Sequence, residues 1–192
     1  MNFLAHLYLS PANDEIMIGN FIADAIKGKQ KLKYSQNVQR GIKLHHHIDD
    51  FTDEHSVFKQ SASRLKEKYR MYSNVIVDIY YDHFLAKNWN YYSDNDLAEF
   101  SLEAYRKLVN YYKKLPPRNK RILPYMIAQN WLCGYASKWS LKRVFYGMDR
   151  RTSFKSGMSD AVDDLTKHYN DYEEEFNRFF PEIINFVRNI KY

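Results

Sequence analysis

Apolar residues recur at one-turn spacing along most of this chain, as they do in helices that bury one face. Ile18, Ile22 and Ile26 predict a helix over about residues 13–27, with Asn20 and Asp24 together on one side of it. Ser35 is placed to cap the next helix, on which Val38, Gly41, Ile42, Leu44 and Ile48 form an apolar arc. Phe58, Ala62, Leu65 and Tyr69 mark a third. Residues 73–89 are apolar nearly all round, which suits a helix in the middle of a bundle. Ser93 with Asp96 reads as a capping box, opening a helix through Leu97, Phe100, Ala104, Leu108 and Tyr111 that Pro116-Pro117 stops. A further helix is expected from near Leu123-Pro124 to Tyr135, and a short one over 140–148. The last two are expected over 159–180 and 181–190, Pro181 starting the second. No β-branched alternating run, repeat or composition shift interrupts this order. The expectation is an all-α, single-domain helical bundle spanning 1–192.

Polar residues break the apolar faces at a few points. Residues 41–55 hold four histidines and four acidic residues in fifteen positions. At about 100° per residue, His45 and Asp49 fall inside the apolar arc one turn apart. His47 falls on the opposite, solvent side, and His46 on the flank. A buried imidazole and carboxylate are costly unless they bind each other or something else. An isolated pair of this kind is ordinarily a satisfied core hydrogen bond. The central apolar stretch, however, carries Asp78 and Asp82 on one face with His83 beside them. Two carboxylates on one side of a buried helix repel, and a divalent cation relieves that. Asp24, His45 with Asp49, and Asp78 with Asp82 and His83 are thus expected to face inward from three helices, and His6 adds a lesser ligand from the N-terminal stretch. Mixed imidazole and carboxylate donors suit Mn²⁺, with Mg²⁺ or Fe²⁺ as alternatives. Such an ion equips a site for phosphoester hydrolysis.

Composition narrows the context. The single cysteine, Cys133, excludes a disulfide framework and fits a reducing compartment. The opening residues show neither a basic lead nor a long apolar run, so a cytoplasmic protein with no membrane span is expected. A net charge of +6 favours an acidic partner. The basic residues are scattered and form no groove-reading motif, which argues against nucleic acid. Gly-rich phosphate loops, CxxC pairs, H-E-x-x-H and G-x-S-x-G are all missing.

Met1-Asn2-Phe3-Leu4-Ala5-His6-Leu7, Gly19-Asn20-Phe21-Ile22-Ala23-Asp24, Gly41-Ile42 through His45 to Ile48-Asp49, Thr52-Asp53, and Asp78 through Tyr81-Asp82-His83-Phe84-Leu85 occur in that order. Weaker echoes follow at Trp131-Leu132, Gly147-Met148 with Arg150-Arg151, and Phe180-Pro181. Together these residues resemble the acyl carrier protein phosphodiesterase family over essentially the whole chain. The resemblance implies an all-helical fold distantly related to HD-type metal phosphohydrolases. It also implies a Mn²⁺-dependent hydrolase that cleaves holo acyl carrier protein to the apo protein and 4′-phosphopantetheine. An adjacent His-Asp dipeptide is lacking, its place taken by His45…Asp49 and the reversed Asp82-His83. The expected ligands are Asp24, His45, Asp49, Asp78, Asp82 and His6, with His83 or a carboxylate as general base. Lys29, Lys31, Arg118, Arg121, Arg150 and Arg151 are the expected docking cations for the acidic carrier. The alternatives are the same chemistry on a nucleotide or another small phosphoester, and a non-catalytic basic helical binding module.

Overall fold

The computed structural model describes residues 1–191, and among these it holds eleven α-helices, six 3-10 turns and no strand. The expected 1–192 domain thus extends one residue beyond the described ones. The N-terminal stretch forms α1 (Phe3–Tyr8), started by the Asn2 side chain, which accepts from the Phe3 amide at 2.8 Å. Asn13 caps α2 (Asp14–Ile22) through the Ile16 amide at 3.1 Å. Ser35 caps α3 (Gln36–Glu54), as its position predicts. The α2 and α3 backbones meet at Gly19 and Gly41. A Cβ on Gly41 would lie 2.0 Å from the Ile16 carbonyl oxygen, and one on Gly19 would lie 2.1 Å from that of Val38. Only glycine permits this approach, which brings Asn20 beside His45.

After α4 (Ser56–Tyr69) comes α5 (Ser73–Lys87), the axis of the bundle. Ile76, Val77, Ile79, Tyr80, Tyr81, Phe84 and Leu85 are all fully buried on it. Each such side chain contributes roughly 1.5–3 kcal/mol on leaving water. The chain continues through α6 (Leu97–Asn110), α7 (Pro117–Ala128), α8 (Trp131–Gly134), α9 (Lys138–Arg151) and α10 (Ala161–Lys167). The closing helix α11 (Tyr169–Asn189) lays Tyr172, Phe176, Phe179 and Phe180 into the core. No helix is long and apolar enough to cross a membrane among the described residues.

Several expected boundaries move. The helix expected over 13–27 ends at Ile22 in a 3-10 turn, Ala23–Ala25, because Ile26 is extended. The basic connector is itself a 3-10 helix, Gly28–Lys33, entered through Gly28 at a left-handed φ of 52°. The Ser93–Asp96 capping box does not form: Asp96 precedes α6 without a side-chain cap, and the Ser93 hydroxyl accepts from the Asn95 amide. Pro124 lies inside α7, which starts at Pro117; the carbonyl of Lys120 that it cannot satisfy accepts the Tyr112 hydroxyl at 3.3 Å. The helix expected to continue to Tyr135 breaks at Asn130, whose φ is 42°, and α9 runs beyond 140–148 at both ends. Pro181 sits inside α11 because Phe179, Phe180 and Ile183 are buried on both sides of it. The carbonyl that Pro181 leaves over belongs to exposed Asn177, where solvent satisfies it.

Candidate metal centre and its cleft

Asn20 is fully buried and organises the centre. Its amide nitrogen donates to the His6 carbonyl at 2.7 Å and to the Ser10 hydroxyl at 3.0 Å, which fixes the side chain's orientation. Its oxygen then faces two imidazoles at once, His6 Nδ1 at 2.8 Å and His45 Nδ1 at 3.2 Å. Both rings therefore donate through Nδ1 and turn Nε2 toward the carboxylates. His45 Nε2 meets Asp24 Oδ1 at 3.2 Å and Asp49 Oδ2 at 3.1 Å. His6 Nε2 lies 3.2 Å from Asp49 Oδ1 and 3.1 Å from the Met1 carbonyl oxygen. The two rings are stacked, 4.1 Å between centroids.

The two imidazoles hold protons very differently. Burial pushes His6 down to about 4, against the pull of Asp49. Burial also weighs on His45, but its bonds to Asp24 and Asp49 outweigh it and carry the ring up to about 9. Burial would raise Asp49, yet the bond from the charged His45 holds it well below the usual carboxylate range. Asp24 is lowered too, chiefly by its bond from His45.

One contact in this cluster lacks a shared proton, although the Met1 amine also lies 3.7 Å from Asp49 Oδ1. With Nδ1 donating to Asn20, the neutral His6 turns a bare Nε2 toward two acceptors, the Asp49 carboxylate and the Met1 carbonyl. The other tautomer only moves the conflict to Asn20 Oδ1. A divalent cation between His6 Nε2, His45 Nε2 and Asp49 resolves it. These donor atoms lie within 4.8 Å of one another, with Asp24 adjoining through His45. The residues present therefore fit a metal of the imidazole- and oxygen-loving class.

The centre opens into a cleft of about 830 Å³. Its far wall is α9, which presents Trp139, Arg143, Val144, Gly147, Met148, Arg150 and Arg151. Met71 and Val75 form a second apolar wall, and Arg118 stands at the mouth with Nη1 3.4 Å from the Asp24 carbonyl. Asp149 anchors the α9 end. It is buried, and it accepts from the Ser156 and Ser159 hydroxyls at 2.6 and 2.7 Å and from the Gly157 and Ser159 amides at 3.0 and 3.1 Å. Both of its oxygens are thereby taken up by the turn that follows α9.

A cleft that joins imidazoles, carboxylates and arginines suits a phosphoester, and the comparisons with known proteins agree. The acyl carrier protein phosphodiesterase family model matches residues 1–183. The chain belongs to this family. The acyl carrier protein phosphodiesterase of Photorhabdus laumondii is 32% identical, over 98% of this chain and 96% of that protein. The protein of the same name from Klebsiella pneumoniae is also 32% identical, over 98% of each chain. That of Yersinia enterocolitica is 29% identical, over 96% of each. No solved structure matches this one.

For this member of the family, the structure brings together His6, Asp24, His45 and Asp49, and it leaves two expected ligands, Asp78 and Asp82, and the candidate base His83 in other settings. Asp78 lines the cleft, 2.8 Å from the Met1 amine, and burial pushes its carboxyl up. Asp82 caps α1 instead, accepting the Leu4 amide at 2.8 Å and the Ala5 amide at 3.2 Å. Burial holds it up to about 7 even so. His83 stands apart from the cluster, since it follows Asp82 by about 100° of helix. Its Nδ1 meets the Tyr135 carbonyl at 2.7 Å and its Nε2 the Tyr169 hydroxyl at 2.8 Å, which engages both ring nitrogens. The expectation for His47 is reversed: His46 is the exposed ring, and His47 is half-buried with an enclosed Nε2.

Among the basic candidates, Arg118, Arg150 and Arg151 line the cleft. Lys29, Lys31 and Arg121 are exposed outside it. Sequence reasoning put Asn20 on one face with Asp24 but gave it no role in the site, and it missed Arg143. Asn20 was visible as a fully polar side chain one turn before Asp24 on an apolar helix. Arg143 has no such signal, since its place at the cleft follows only from how α9 packs.

Proposed function

We propose that this protein hydrolyses the phosphodiester of holo acyl carrier protein, releasing the apo protein and 4′-phosphopantetheine, with the help of a divalent cation such as Mn²⁺. The observation that carries the reading is the convergence of His6 Nε2, His45 Nε2 and Asp49 at the head of an arginine-lined cleft. The family name of its relatives supplies the substrate. His6, His45, Asp49 and Asp24 would hold the ion. When bound, it would supply positive charge against a phosphoryl oxygen and acidify a neighbouring water.

The chain's own groups do the rest. Asn20 fixes the tautomer and direction of both imidazoles. Asp78, raised by burial and lining the cleft beside the Met1 amine, would be the carboxylate that takes a proton from water. Arg118 and Arg143 would offset the charge that develops on the phosphate, while the exposed Arg150 and Arg151 would meet the acidic carrier. His83 carries no proton in this scheme; it ties α5 to Tyr135 and Tyr169. Of the two kinds of base expected, a carboxylate and not His83 fills the role.

Metal content and activity test the reading together. Protein purified without chelator should carry a divalent ion, lose hydrolysis on chelation while staying helical, and regain it with Mn²⁺. Full activity in metal-free protein contradicts the metal. Faster hydrolysis of a nucleotide than of holo carrier protein contradicts the substrate.

A further inference from the structure

The cleft is much larger than a phosphodiester group alone requires, and one glycine in its wall has no structural reason to be there. Gly147 lies inside α9, and its φ is not positive. A Cβ built on it meets no atom within 4 Å. Glycine weakens a helix relative to alanine, so an unneeded glycine in mid-helix is a loss to the fold. Gly19 and Gly41 show the contrast, because a Cβ there would strike backbone oxygen. Gly147 keeps space open on the cleft side. At about 100° per residue it falls between Arg143 and Val144, both of which line the cleft.

Only part of a carrier protein can use that space. A folded domain cannot enter a cleft of about 830 Å³, whereas the chain attached to its phosphate can. The walls suit such a chain. Met71, 83% exposed, and Val75, 37% exposed, also line the cleft and can cover methylene groups. Asn74 and Gln129 line it as well and offer amide partners.

We propose that the α9 wall centred on Gly147 is the subsite for the pantetheine arm, an extended amide-bearing chain that lies along the cleft while its phosphate reaches the metal centre. This rests on the carrier-protein reading above.

Gly147→Leu in the full chain tests it, because leucine favours the helix and projects into the cleft. Thermal melting should be no lower than in the wild type. The value of kcat/KM on holo acyl carrier protein should fall at least tenfold more than on bis(p-nitrophenyl) phosphate, which has no arm, and most of the loss should lie in KM. Gly147→Ala should fall between the two; it carries the same comparison if leucine lowers the melting temperature. Equal losses on both substrates, or an unchanged KM for holo carrier protein, would overturn the subsite and leave the carrier reading standing. A wild-type enzyme that fails to cleave holo carrier protein overturns both.

Discussion

His6 and His45 stack face to face at 4.1 Å, although one comes from the first helix and the other from the third. The single oxygen of Asn20 holds both rings, and the Gly19–Gly41 contact sets Asn20 at that distance. The centre is thus as rigid as the packing of α2 on α3. Its electrostatics follow: one ring buried neutral, the other kept charged by two carboxylates.

That asymmetry makes the stability of the metal-stripped protein depend on pH. The folded value of His45, about 9, lies above its ordinary 6.5, so its contribution is whole below pH 6.5 and is lost as pH rises through 9. The folded value of His6, about 4, lies below 6.5, so its contribution is whole above 6.5 and is lost as pH falls through 4. Melting temperature in chelator should therefore fall from pH 7 to pH 9, whereas below pH 7 the gain from His6 is offset by Asp82, whose raised value of about 7 acts in the opposite direction. A divalent ion needs both rings neutral and should stabilise more at about pH 8 than at about pH 6. A melting temperature that climbs steadily from 6.5 to 9 in chelator contradicts the assignment.

The histidines should separate sharply in activity. His45→Ala removes a proposed ligand and should cost more than Asn20→Ala, which should weaken metal binding by roughly 10–100-fold through lost orientation. His46→Ala should be nearly silent, since that ring is exposed. His83→Gln should keep most of the turnover but lower the melting temperature, because it breaks the bridge between Tyr135 and Tyr169. Steady-state kinetics with calorimetry of metal binding checks all four. Loss of turnover in His83→Gln with metal affinity intact would restore it as the base.

Close helix packing makes a stability prediction free of any assumption about function. Gly41→Ala would place a methyl 2.0 Å from the Ile16 oxygen, so α2 must move off α3. Overpacking of this kind costs about 1–3 kcal/mol or more. Urea unfolding reads it directly, and a stability unchanged from wild type would mean that the two helices do not approach as described.

Arg150 and Arg151 give a prediction about association. Both are exposed on the cleft rim of a chain with net charge +6. Steering of an acidic protein acts mainly on encounter and is screened over roughly 8–10 Å at ordinary salt. Raising salt should lower kcat/KM on holo carrier protein steeply and change turnover of a small phosphodiester far less. Arg150→Glu or Arg151→Glu should raise KM with little loss of kcat. Equal salt sensitivity for both substrates would remove the basic rim from recognition.

The helices themselves were legible because one-turn apolar spacing is local. So was the pairing of His45 with Asp49, four residues apart on one helix. Asp82 was not legible in the same way. Its burial follows from the all-apolar α5, but whether it meets a metal or caps α1 depends on a segment 77 and 78 residues away. His83 is buried as expected, but its partners are Tyr135 and Tyr169, which only the packing of distant segments brings to it. Pro124 and Pro181 read locally as helix starts, whereas distant partners decide both. A tyrosine hydroxyl takes the spare carbonyl of one, and core burial on either side holds the helix through the other.

Mass spectrometry of purified holo acyl carrier protein, incubated with this protein and Mn²⁺, tests the central claim most directly. The account predicts that the carrier loses the mass of 4′-phosphopantetheine, that chelator stops the loss, and that His45→Ala does not produce it. A carrier of unchanged mass in the presence of wild-type protein and Mn²⁺ would contradict the account.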